Sequence, residues 1–114
     1  MPSQKNYLKL NAYTKSSNEL VEETKKYISQ YDCKFLNIDI SELNLIDTCK
    51  VVSLTSAYHF TKYQTGKIKF LVQNNNVKNI IKSMLLKNVR LETLADRHNN
   101  VIDFKKVFST SLVK

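Results

Sequence analysis

Apolar positions along this chain alternate between two periods, and the switches between them mark its elements. Residues 6–13 place Tyr7, Leu8 and Leu10 around the polar Lys9 and Asn11, which predicts a first strand. Ser16 or Ser17 then caps a helix whose first turn carries Glu19. Its stripe is Leu20, Val21, Thr24, Tyr27 and Ile28, and it ends near residues 30–32. Residues 34–40 predict a second strand, with apolar Phe35 and Leu36 on opposite faces, as in a central strand covered by helices on both sides. Thr48 is a natural N-cap for a helix over 48–64, whose stripe is Val51, Val52, Thr55, Tyr58, His59 and Tyr63. Gly66 closes it in the usual C-terminal way. Residues 67–72 predict a third strand, and the asparagines at 74–76 cap a third helix carrying Val77, Ile80, Ile81, Met84 and Leu85. A short fourth strand over 89–94 and a polar loop over 95–100 follow. Ile102, Phe104, Val107, Phe108 and Leu112 suggest a final helix packed as a lid. Strands alternating with helices imply an α/β sandwich, with a four-stranded mixed or mostly parallel sheet and about four helices.

Length and composition narrow this picture. The 114 residues fit a single domain, 1–114, with one core. One glycine and one proline argue against a turn-rich all-β fold and exclude a glycine-rich phosphate loop. No apolar run approaches the roughly 20 residues that span a bilayer, and polar and charged groups recur throughout residues 1–15. The expectation is a cytoplasmic protein without membrane insertion, its two cysteines reduced.

The net charge of +8 is carried by the middle of the chain. Residues 48–91 hold Lys50, Lys62, Lys67, Lys69, Lys78, Lys82, Lys87 and Arg90 with no acid. Such a field attracts an acidic protein, a phosphate, a nucleic acid or an anionic surface. The lysines are spaced along the sequence rather than clustered, which equally fits a solvated surface and argues against nucleic acid as a partner.

No enzyme constellation is visible: no nucleophile has a base at plausible spacing, and no metal or cofactor motif occurs. His59, His98 and a cysteine match no zinc template. His59 on a helical stripe reads as packing, and Tyr58, Phe60 and Tyr63 read as core plus helix surface rather than a base-stacking platform. Cys49 reads as a small, partly buried helix residue, although its place near a helix N-terminus makes a reactive thiol the other reading. Attention therefore falls on the junction of strand 34–40 with helix 48–64, where Asp47 and Thr48 lie. As an ordinary cap, Thr48 contributes about 1 kcal/mol to its helix and nothing more. As a modified residue, it would hold a phosphate against unpaired backbone N–H groups, with Lys50 in reach.

The same residues resemble the STAS domain, a family that includes bacterial anti-sigma-factor antagonists. The likeness runs from Asp39-Ile40-Ser41 through Leu45-Ile46-Asp47-Thr48 and its long helix. It continues in Gly66-Lys67-Ile68-Lys69-Phe70-Leu71-Val72 and Asn76-Val77-Lys78-Asn79-Ile80-Ile81-Lys82. It covers residues 35–94 well and 6–31 loosely. Antagonist members carry Asp-Ser-Ser-Gly or Asp-Ser-Thr-Gly and are phosphorylated on the first hydroxyl. The resemblance implies that Asp47 takes the place of that aspartate and Thr48 that of the phosphoacceptor. Cys49 and Lys50 stand where the family has a second hydroxyl and a glycine. Asp47, Thr48, Cys49, Lys50 and Val51 would meet the partner. That partner would be a serine/threonine kinase-like ATPase acting as an anti-sigma factor in a partner-switching pathway of transcription regulation. The other implied role is a constitutive subunit of a phospholipid transporter, gripping its ATPase through the same loop and helix.

Overall fold

The computed structural model describes residues 6–11 and 15–96. Strands β1 (Tyr7–Lys9), β2 (Phe35–Asp39), β3 (Lys67–Val72) and β4 (Val89–Thr93) alternate with helices α1 (Ser17–Gln30), α2 (Leu45–Lys62) and α3 (Asn75–Lys82). A single helical turn at 94–96 follows β4. The predicted final helix at 102–112 lies outside the described residues, as do 12 and 13 of the predicted first strand.

The strands form one sheet in the order β1-β2-β3-β4, and every pair is parallel, so the sheet is not mixed. Each strand lies beside the one before it. Right-handed crossovers in such a series put every helix on the same face. The register agrees: Leu8, Ile38, Phe70 and Leu91 form one row, and Leu36, Ile68 and Val89 another. Both rows join one core with Leu20, Val21 and Ile28 of α1, Val51 and Val52 of α2, and Val77 and Ile81 of α3. Each fully buried aliphatic side chain of this kind stabilises by about 1.5–3 kcal/mol, so this layer holds the domain together.

The opposite face has no described helix against it. It carries Tyr7 and Lys9, then Phe35, Asn37 and Asp39, then Lys67, Lys69 and Leu71, then Arg90 and Glu92; of these only Leu71 is buried. The expectation of a central strand covered on both sides fails at Phe35, which is 55% exposed. The strands alternate apolar and polar, as one-sided sheets do.

Local chemistry explains the helix starts. Ser16 and Glu19 form a reciprocal capping box on α1. Asn74 caps α3 by accepting from the Val77 N–H at 3.0 Å. Gly66 has no positive φ, so it is not the left-handed cap that the sequence suggested. Tyr63 caps α2, its N–H bonding to the His59 carbonyl. Gly66 is required by crowding instead. A Cβ there would lie 2.4 Å from the Lys34 carbonyl oxygen, 2.9 Å from the Tyr63 Cβ and 3.0 Å from the His59 Cε1.

Candidate functional site

Helix α2 begins one turn earlier than its composition suggested. Asn44 is the N-cap: its side-chain oxygen accepts from the Asp47 N–H at 2.9 Å, and its carbonyl takes the Thr48 N–H at 2.9 Å. Asp47 then sits in the first turn, where a carboxylate favours the positive end of the helix dipole. Thr48 is therefore not the cap. It is fully buried, and its hydroxyl donates to the Leu43 carbonyl at 3.4 Å. With the helix set in this register, Thr48, Val51, Val52, Thr55 and His59 make one inward stripe.

The predicted contact set 47–51 does not form a patch. Consecutive helical residues point about 100° apart, so the five radiate around the axis. Thr48 and Val51 face the core, while Asp47, Cys49 and Lys50 are half-buried. A kinase meeting the folded domain would not reach the Thr48 hydroxyl without opening the first turn of α2.

The outward face of α2 carries a different surface. Ile46 is 79% exposed, and Lys50, Leu54, Ala57 and Phe60 follow it along the same side of the helix. Beside Phe60 lies the turn after α3. There Leu85 has φ 56°, the left-handed region that a leucine avoids, and is 84% exposed. The turn is fastened to α2 by Asn88, which is buried and donates its side-chain N–H to the Ser56 carbonyl at 2.9 Å. Asn88 also accepts the Ile68 N–H on its backbone oxygen at 2.9 Å, tying the turn to β3. Between turn and helix runs a groove of about 250 Å³ whose lining includes Ala57, Phe60, Leu85 and Leu86. Strain at an exposed apolar residue, held by a buried polar anchor, is the pattern expected of a contact surface.

The sequence missed the exposure of Leu85, placed on the stripe of the third helix, and of Ile46, placed before the start of the helix over 48–64. A usable signal was present: stepping back three residues from Val51 puts Thr48 on the inward stripe and turns Ile46 outward. Of the aromatic group, Tyr58 and Tyr63 pack against the core and Phe60 is exposed.

The remaining chemistry-bearing residues serve the fold. His59 is buried and its Nε2 lies 2.8 Å from the Cys33 carbonyl, an arrangement in which Nε2–H donates. Burial pushes its pKa below the ordinary 6.5, so the ring stays neutral. Nδ1 has no partner. Burial, helped by the charge of Asp32, pushes the Cys33 thiol up, which makes it inert. Among the described residues, no three His, Cys, Asp or Glu side chains cluster to hold a metal. No helix of the described residues is long and apolar enough to cross a membrane. Among the described residues the strand order is sequential, with no reversal point of the kind beside which open α/β sheets bind small ligands.

No protein-family model matches the chain, and comparison with curated proteins and with solved structures gives no match.

Proposed function

We propose that this chain is a non-catalytic protein-binding module of the STAS type, which docks an ATPase through the outward strip of α2 and the turn at Leu85. The observation that carries the reading is the exposed line Ile46, Leu54 and Phe60, flanked by a leucine held in a strained conformation. Lys50 in the middle of the strip adds a cation, so an apolar partner surface edged by a carboxylate fits it.

The burial of Thr48 favours the constitutive mode, in which the module grips a transporter-type ATPase without being modified. The partner-switching mode, with a kinase-like anti-sigma factor and phosphate on Thr48, requires the first turn of α2 to open before each transfer. Photo-crosslinking in cells tests the surface that both modes share. A benzoylphenylalanine at position 46 or 85 should capture an ATPase, whereas one at Lys82 should not. Ile46→Asp or Leu85→Asp should abolish the complex while leaving the circular dichroism spectrum unchanged. Phosphate found on Thr48 by mass spectrometry, after kinase treatment of the folded chain, would restore the switching mode. Capture from position 82 and not from 46 or 85 would remove the proposed surface altogether.

A further inference from the structure

The sheet face with no helix against it among the described residues gathers side chains that the sequence keeps apart. We propose that it is a platform for single-stranded nucleic acid, with Tyr7 and Phe35 stacking bases and Lys67, Lys69 and Arg90 taking phosphates. The register builds three rows on this face. Phe35 stands beside Lys67 in the first. Tyr7, Asn37, Lys69 and Arg90 form the second, and Lys9, Asp39, Leu71 and Glu92 the third.

Charge is divided between the rows. The first two hold three cations and no acid, and both carboxylates lie in the third. Lys69 pairs with Glu92 at 3.4 Å and Lys9 with Glu42 at 3.8 Å, while Lys67 and Arg90 make no ion pair among the described residues. Lys34 adds a further cation at the same end, its Nζ 5.6 Å from the centre of the Phe35 ring. This end of the face thus joins unneutralised cations to two rings, Tyr7 being 49% exposed and Phe35 more so.

The occupant follows from that chemistry. All-parallel sheets are ordinarily covered on both faces, and strands meant for such cover are apolar on both sides. Here the second side is charged and aromatic, which does not suit an apolar helix. It suits a polyanion with flat, exposed π surfaces. Tyr7 and Phe35 lie on adjacent strands two register positions apart, about 8 Å between backbones, which matches neighbouring bases in an extended strand. From Tyr7 across to Arg90 is three strand spacings, about 14 Å, a width that lets phosphates run along the cationic side. A flat face offers nothing to insert into a duplex groove. The surface is on the far side of the sheet from α2, so it does not depend on the proposed partner contact.

Fluorescence anisotropy of the full chain with fluorescein-labelled 12-mers of uridine and thymidine tests this. We expect saturable binding at 50 mM salt that weakens with a log–log salt slope of about −2, as for three phosphate contacts. Replacing Tyr7 and Phe35 together by leucine should weaken binding at least tenfold, since each stacked base is worth about fivefold or more. The ring-preserving pair Tyr7→Phe and Phe35→Tyr should bind as the parent does. Arg90→Ala should reduce the salt slope by about 0.7. Lys82→Ala on α3 should leave oligonucleotide binding as in the parent. The proposal is overturned by no binding at 50 mM salt, by undiminished binding of the leucine pair, by equal or tighter binding of duplex, or by binding to phosphatidylserine vesicles in place of the oligonucleotides.

Discussion

Placing a carboxylate at Thr48 asks whether that position is inside the domain or at its surface. The parent side chain has no exposed area, and its hydroxyl donates only to the Leu43 carbonyl. A glutamate there would enter the inward stripe of α2 beside Val51 and Val52 with no cation on that stripe to pair with. Burial of an unpaired carboxylate raises its pKa by about 3 units or more, and each unit is about 1.4 kcal/mol, so Thr48→Glu should cost about 4 kcal/mol at pH 7. That is a large share of the roughly 5–15 kcal/mol that holds a small domain folded. Thr48→Val keeps the shape and loses one long hydrogen bond, so it should stay within about 1 kcal/mol of the parent. Urea unfolding followed by far-ultraviolet circular dichroism measures both. The pH trend adds a check of sign. A glutamate buried at this position would have its folded pKa above its unfolded value of about 4.3, so the folded state binds the extra proton. The deficit of the glutamate variant should therefore shrink as pH falls from 7 towards 5. A glutamate variant within about 1 kcal/mol of the parent at pH 7 would refute the reasoning, because the first turn of α2 would then open at little cost and a kinase could reach the hydroxyl. The same result would make Thr48→Glu a usable phosphate mimic, which burial otherwise forbids.

Three further outcomes are expected. Gly66→Ala should destabilise by about 3 kcal/mol, since the new methyl meets the Lys34 carbonyl oxygen, whose hydrogen bond from the Lys67 N–H opens the β2–β3 ladder; a loss under about 1 kcal/mol in urea unfolding would show that the approach is not fixed. His59, neutral in the fold with its pKa lowered below 6.5, gives stability that is complete above that value and falls as pH drops through it, because only the unfolded chain takes up the proton; the urea midpoint should follow this trend, and His59→Gln should flatten it. Leu85→Gly should raise stability by about 0.5–1 kcal/mol by relieving a positive φ, yet weaken capture of the ATPase, and a variant that gains neither stability nor a binding defect would separate the strain from any contact role.

The element order was legible because period and caps agreed along most of the chain. Ser16 with Glu19 and Asn74 before Val77 gave two helix starts, and residues 67–72 gave a strand to the residue. The packing role of His59 was also legible from its place on the stripe. The start of α2 was not, because Asn44, Asp47 and Thr48 are all good caps by side-chain chemistry. Leu45 and Ile46 read as preceding the helix and are its exposed first turn instead. Propensity cannot choose among three such residues; the inward stripe decides, and it requires Thr48 inside. The one-sided sheet was hidden for a related reason. Phe35 beside Leu36 reads as cover on both faces, whereas strand order alone sends the crossover helices α1, α2 and α3 to one side. The cations of the open face read as spaced rather than clustered because register, and not sequence distance, brings Lys69 next to Arg90.

Because each strand pairs with its predecessor, the chain closes only modest loops as it folds. Tyr7 meets Asn37, Phe35 meets Lys67 and Ile68 meets Val89. Among the described residues no strand pairing has to wait for a later strand than the next one. A strand emerging from the ribosome finds its neighbour already made, and the domain can grow by accretion from its N-terminal edge.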